Sequence, residues 1–127
     1  MQDLIIEATI KTPEVRFIAS NGLLTLRGRS IPENSIDFFK PLHDWIDGYF
    51  LNPQEKTCVE IKLEYFNTSS SKSMLDLFKK MEALNGVQTK IEINWFYEED
   101  DEDMLEAGED YQAILNIPVS MIAVDEL

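Results

Sequence analysis

The stretch TCVEIKLEYF NTSSS KSMLDLFKKMEAL NG VQTK IEINW, Thr57 to Trp95, changes its hydrophobic period twice and decides the fold class. In its first ten residues Val59, Ile61, Leu63 and Tyr65 alternate with Glu60, Lys62 and Glu64. Ile91, Ile93 and Trp95 repeat the alternation against Lys90, Glu92 and Asn94. Side chains alternate sides along an extended chain, so both segments read as strands with one buried and one wet face. Between them Met74 or Leu75, Phe78, Met81 and Leu84 follow helical spacing from about residue 72, and Asn85-Gly86 supplies a stop. A strand, a tight loop, a helix and another strand form a βαβ unit, with parallel strands and a right-handed crossover. A sheet covered on both faces would show continuous apolar runs, so the alternation predicts helices packed mainly on one face. Phe66 and Phe96 fall in the outward phase, where they would make an apolar contact spot on the open face or near the strand ends.

The flanking sequence extends this α/β pattern. Residues 15–19 and 23–29 are strand-like runs around Ser20-Asn21-Gly22, and Asn-Gly between such runs marks a hairpin because both residues tolerate positive φ. Residues 4–9 form a further candidate strand, closed by Thr12-Pro13. Ile36, Phe39, Leu42, Trp45, Ile46, Tyr49 and Phe50 mark one face of a helix over 34–51, ended by Asn52-Pro53. Pro41 should kink that helix or confine the regular part to the residues after it. Beyond the acidic run Glu98–Asp103 a third helix continues to about Leu115, and Val119–Val124 reads as a last strand.

The chain has 127 residues, enough for one domain over 1–127 with a core that needs no metal or disulfide. Its 11 Lys and Arg face 24 Asp and Glu, a net charge of −13 that repels nucleic acid and anionic lipid. One cysteine, Cys58, forms no internal disulfide, and with one histidine, His43, furnishes no zinc site. No apolar run has the length of a membrane span, and the start shows no basic leader or cleavage site, so a cytoplasmic protein is expected. Scattered glycines leave no phosphate loop, and no cofactor is expected.

Chemistry concentrates at Asn67-Thr68-Ser69-Ser70-Ser71-Lys72, where four consecutive hydroxyls separate a strand from a helix. One reading is capping, since Ser and Thr oxygens accept from the unpaired first amides of a helix. The other is phosphorylation: the free amides and partial positive charge of a helix start accommodate phosphate locally. Lys72, Lys79 and Lys80 would give this region a local cationic patch on an acidic protein.

This order of elements, with a hydroxyl loop between a central strand and the next helix, resembles the STAS fold of anti-sigma-factor antagonists. Thr12-Pro13, residues 28–34 (GRSIPEN), Phe38-Phe39 with Pro41 and Trp45-Ile46, and residues 65–70 (YFNTSS) resemble the SiaC family of bacterial biofilm-regulation phosphoproteins. The resemblance covers nearly the whole chain. It implies a STAS-like domain and a non-enzymatic switch. A serine/threonine kinase would phosphorylate Thr68, with Ser69 as the alternative acceptor, and a PP2C-type phosphatase would reverse it. The unmodified protein would bind and activate a diguanylate cyclase in cyclic di-GMP and biofilm signalling. Asn67 and Ser69, Ser70 and Ser71 would shape the binding loop, with Lys72 and Lys79 contributing to partner contact. The STAS likeness alone leaves a second reading, an anti-sigma-factor antagonist acting on transcription through an anti-sigma kinase.

Other constellations are weaker. The run 98–103 begins like a calcium loop, but Leu105 and Glu106 stand where that motif needs an oxygen ligand and Gly. Acids favoured by a helix dipole explain it better, with weak cation binding or a partner's basic surface left open. Ser69-Ser70-Ser71-Lys72 fits a Ser-x-x-Lys pattern but lacks the companion motifs. His43 and Asp44 are adjacent on a helix and do not face each other, and Cys58 reads as a small buried residue.

Overall fold

Alternation and turn residues divide the chain into β1 (Leu4–Ile6), β2 (Glu14–Ile18), β3 (Leu23–Ser30), α1 (Ser35–Tyr49), β4 (Lys56–Phe66), α2 (Thr68–Glu82), β5 (Lys90–Glu98), α3 (Glu102–Ile114) and β6 (Val119–Val124). The structure is a computed structural model describing residues 1–127. The six strands form one sheet in sequence order, β1 to β6. The first two pairings are antiparallel and the last three parallel. Each parallel pair is joined by a helix, and right-handed crossovers in a sheet of sequential order place all three helices on the same face.

Under those helices lies one contiguous core. Val15, Phe17, Leu24, Leu26, Val59, Ile61, Leu63, Ile91, Ile93 and Trp95 enter it from the strands, and Phe39, Leu42, Ile46, Met74, Phe78 and Met81 from the helices. The Trp95 indole N–H donates to the Met104 carbonyl at 2.9 Å, so a fully buried Trp keeps its polar atom satisfied. At the far end of the sheet, Tyr49, Thr57 and Thr89 share buried hydroxyl contacts of 2.9 and 2.8 Å. No helix is long and apolar enough to cross a membrane.

Several elements depart from the expected boundaries for local reasons. β1 covers only residues 4–6, while β5 runs on past Trp95 to Glu98. In the hairpin only Gly22 adopts positive φ (67°), and the Asn21 side chain instead accepts from the Leu23 amide. A Cβ at Gly22 would stand 2.5 Å from the Lys56 carbonyl oxygen, so glycine is required there for space as well. Helix α1 begins at Ser35 and continues through Pro41, which is therefore not its boundary. Pro41 and Asp37 are both exposed, so the carbonyl that loses its donor lies on the solvent side of the helix, where water can serve it. Ile36, expected in the core, is 79% exposed, because the second helical residue overhangs the end of the sheet.

The most consequential departure lies in β4. Gly28 pairs with Leu63, but Arg29 pairs with Tyr65, so Glu64 is an extra residue that β3 does not match. Such a bulge inverts the phase of everything after it. Tyr65, expected inside, is 53% exposed. Phe66, expected on the open face or near the strand ends, closes β4 but turns inward and meets Trp95 edge-on at 5.9 Å between ring centres. Phe96 alone keeps its expected outward place, beneath the Lys62 ammonium at 4.9 Å.

Candidate functional site

The parallel strands β3, β4 and β5 each lead into a helix, so three helix starts open at one end of the sheet. Each carries a side-chain cap: Asn34 accepts from the Asp37 amide, Asn67 from the Ser70 amide, and Asp101 from the Met104 amide. The cap of α2 is thus Asn67, and the hydroxyls expected in a loop form the first turn of the helix instead. A run of Ser after Asn reads equally well as loop or first turn, which is why the sequence placed the start near residue 72.

Within that turn the four hydroxyls have different fates. Ser70 is fully buried; its hydroxyl donates to the Ser30 carbonyl at 2.9 Å and accepts from the Ser30 hydroxyl at 2.8 Å. Ser69 donates to Asn67 Oδ1 at 3.1 Å and meets the Ser35 hydroxyl of α1 at 2.7 Å. Ser71 lies 3.0 Å from the Tyr111 hydroxyl of α3, which itself donates to the Ser71 carbonyl at 2.9 Å. Burial holds the Tyr111 phenol above its ordinary pKa, so it stays a donor. Thr68 is exposed and alone among the four makes no side-chain hydrogen bond. The three serines tie α2 to β3, α1 and α3, and Thr68 stands free at the first helical position.

Around Thr68 the chain passes between two depressions. One, of about 300 Å³, is lined by Asn34, Ser35, Ile36, Ser69, Lys72 and Asp76. The other, of about 400 Å³, lies between the end of β4 and the start of α3, lined by Tyr65, Phe66, Asp101, Asp103, Met104 and Ala107. Lys72 is exposed, sits one turn after Thr68 on the same helix face, and has no carboxylate within ion-pair distance. Lys79 is eleven residues along α2, roughly 16 Å from Thr68 at 1.5 Å per residue. It is held by Glu82 at 3.3 Å and by the Ile114 carbonyl, while Lys80 pairs with Asp47 at 3.0 Å. The cationic patch expected along α2 therefore reduces, beside Thr68, to Lys72. Ser30, Ser35 and Tyr111, which anchor the turn, carry no sequence signal of their own, because their partners lie 34 to 40 residues away.

The remaining candidate groups stand apart from this turn. His43 is half-buried in α1 and its pKa is lowered, first by that burial and then by Lys80. Cys58 is half-buried on the open face rather than in the core. Burial, with Glu92 and Glu60 beside it, pushes its thiol up to about 11, the opposite of a nucleophile's requirement. The acids of the run 98–103 do not converge in threes as cation ligands would.

A mixed sheet with one helical layer, bearing a free hydroxyl at a capped helix start, defines a small domain of the α/β class. The family model for the SiaC family regulatory phosphoprotein matches residues 6–124, and the chain belongs to that family. A protein of Pseudomonas aeruginosa (strain UCBPP-PA14) is 30% identical over 126 residues, covering 99% of this chain and 100% of that one. The structure of SiaC of Pseudomonas aeruginosa superposes with a TM-score of 0.89 at 28% identity, over 98% of this chain and 100% of that one. A crystal structure of the diguanylate cyclase SiaD in complex with its activator SiaC, from the same organism, matches with a TM-score of 0.90 at 29% identity. That match covers 96% of this chain and all of the other.

Proposed function

We propose that this protein is a non-enzymatic switch that activates a diguanylate cyclase in the cytoplasm and is controlled by phosphorylation of Thr68. The observation that carries the reading is the free Thr68 hydroxyl, set at a helix start whose other three hydroxyls are engaged. The solved complex of the related activator with its cyclase supports the partner class. A serine/threonine kinase would supply the catalytic groups. Thr68 Oγ1 attacks the γ-phosphorus of ATP, ADP leaves, and the hydroxyl proton passes to a base of the kinase. A PP2C-type phosphatase returns the hydroxyl by hydrolysis, releasing inorganic phosphate.

The phosphoryl group adds about −1.5 to −2 charge and three acceptor oxygens. Locally it is welcome, since the first amides of α2 and the Lys72 ammonium one turn away both favour an anion. For a partner surface seated over the same helix start it is costly, because the charge is desolvated without a matched cation. A penalty of about 4 kcal/mol corresponds to roughly a thousandfold loss of affinity. The Asn67 cap and Ser69 to Ser71 hold the turn's shape, and Lys72 meets the phosphate or the partner.

Intact-mass measurement with the cognate kinase and ATP is the decisive experiment. One added phosphate is expected on the unmodified chain and on Ser69→Ala, and none on Thr68→Ala. Cyclase binding should survive Thr68→Ala and collapse on stoichiometric phosphorylation. Phosphate uptake by Thr68→Ala at the ordinary rate, or equal cyclase affinity with and without phosphate, overturns the reading.

A further inference from the structure

We propose that the outer edge of β6 takes up an extended, basic segment of another protein, which joins the sheet as a seventh strand. β6 pairs on one side only, with β5. The Pro118 and Val124 carbonyls accept from the Ile93 and Glu99 amides, so residues 118, 120, 122 and 124 aim their backbone groups at β5. Alternation then points the N–H and C=O groups of Val119, Met121 and Ala123 outward. The Val119 carbonyl is taken by Gln112 Nε2 at 2.7 Å, which confirms the direction, and the groups of Met121 and Ala123 remain free.

An open edge of this kind templates pairing, and proteins ordinarily guard it with charge, proline, a bulge or brevity. The opposite edge, β1, is guarded by brevity, with three residues. β6 has six residues, VSMIAV, with no charge, no proline and no break in its register with β5. Ile122 and Val124 are half-buried on the open face and Ala123 is exposed, so alternate side chains of an added strand would find apolar neighbours.

Charge decides the occupant. The flank of α3 above this edge is identified by Gln112, and helical spacing puts Glu102, Leu105 and Glu109 on the same flank. Helix α3 holds five carboxylates, Glu102, Asp103, Glu106, Glu109 and Asp110, all exposed, and no Lys, Arg or His. Glu98, Glu99 and Asp100 precede it, and Asp125 and Glu126 follow β6. None of these groups is paired within the chain. A second copy would bring an identical acidic α3 against this one, whereas a Lys- or Arg-bearing strand meets complementary charge.

The probe is a nine-residue peptide alternating Val and Lys, compared with its Val and Glu counterpart, with amide exchange followed by NMR. The Lys peptide is expected to bind and to slow exchange at Met121 and Ala123. Ala123→Pro removes one outward N–H and leaves the β5 ladder intact, and should weaken binding about tenfold. The double variant Glu102→Lys/Glu109→Lys, which leaves the backbone untouched, should also weaken it about tenfold. Absence of protection at Met121 and Ala123 under a large excess of peptide overturns the proposal. Equal binding of the Glu peptide, or protection of the same amides without peptide together with a dimer in sedimentation, overturns it as well.

Discussion

Removing the Ser70 hydroxyl tests whether the first turn of α2 is held from below. Ser70 and Ser30 are both fully buried, and the Ser30 hydroxyl has Ser70 as its one partner. Ser70→Ala leaves that hydroxyl buried and unsatisfied, a cost of about 1–3 kcal/mol, and also deletes the bond to the Ser30 carbonyl. That carbonyl still accepts from the Asn67 amide at 3.1 Å, so the second loss is small, and a total near 2 kcal/mol is expected. Ser30→Ala should cost less, about 0.5–1 kcal/mol, because Ser70 keeps its bond to the residue 30 carbonyl. With both hydroxyls gone nothing is orphaned, so the double variant should be no worse than Ser70→Ala alone, a coupling of about 1 kcal/mol. Urea unfolding followed by circular dichroism reads these differences directly. At a slope near 2 kcal/mol/M the Ser70→Ala midpoint falls by about 1 M. Additive single effects, or a Ser70→Ala midpoint within about 0.2 M of the parent, would refute the description of this turn.

Three further outcomes follow from other sites. A Cβ at Gly108 would stand 2.5 Å from Trp95 Cδ1 and 2.6 Å from Met121 Sδ, so Gly108→Ala must lift α3 off the sheet. The overpacking of about 1–3 kcal/mol should outweigh the roughly 1 kcal/mol gained in helix propensity, and calorimetry should show a lowered Tm. With its thiol near 11, Cys58 is about one part in a thousand thiolate at pH 8. Its alkylation by iodoacetamide should run about tenfold slower than that of a small free thiol, after allowing for the greater nucleophilicity of a more basic sulfur. The raised value also means that the folded state holds its proton where the unfolded thiol releases it, so Cys58 favours unfolding increasingly as pH rises above about 9. Glu82 runs the other way. The Asn116 amide, 2.6 Å from its carboxylate, lowers its pKa, so its stabilisation is complete above the ordinary carboxylate range and disappears as acid protonates it. Glu82→Gln should flatten the acid limb of a stability-against-pH curve.

The strands that line the core were legible because alternation is a local signal: Val59, Ile61 and Leu63 announce their face without reference to any other segment. The crossover topology followed from the helix lying between two such strands. Tyr65 and the outward phase of Phe66 were misread because a bulge is a relation between two strands, and nothing within β4 states that β3 omits a partner for Glu64. Ile36 was misassigned because periodicity records angle around a helix axis and is blind to where the sheet beneath ends. At the candidate site, Thr68 could be named on family likeness, but the contrast between its free hydroxyl and the engaged ones of Ser69, Ser70 and Ser71 depends on distant anchors. Lys79 shared a helix with Lys72 in the sequence, and three turns of rise separate it from the hydroxyls in space.

The unmatched Glu64 makes the address of Thr68 a matter of counting. Its own side chain is exposed, so almost any replacement should be tolerated at that place. Deleting the residue would instead pull Asn67 one step back along the strand and point the capping oxygen away from the amide it now serves. A hydroxyl displayed this way is positioned by the length of the path leading to it, and evolution or design can rewrite the letters of that path far more freely than its number.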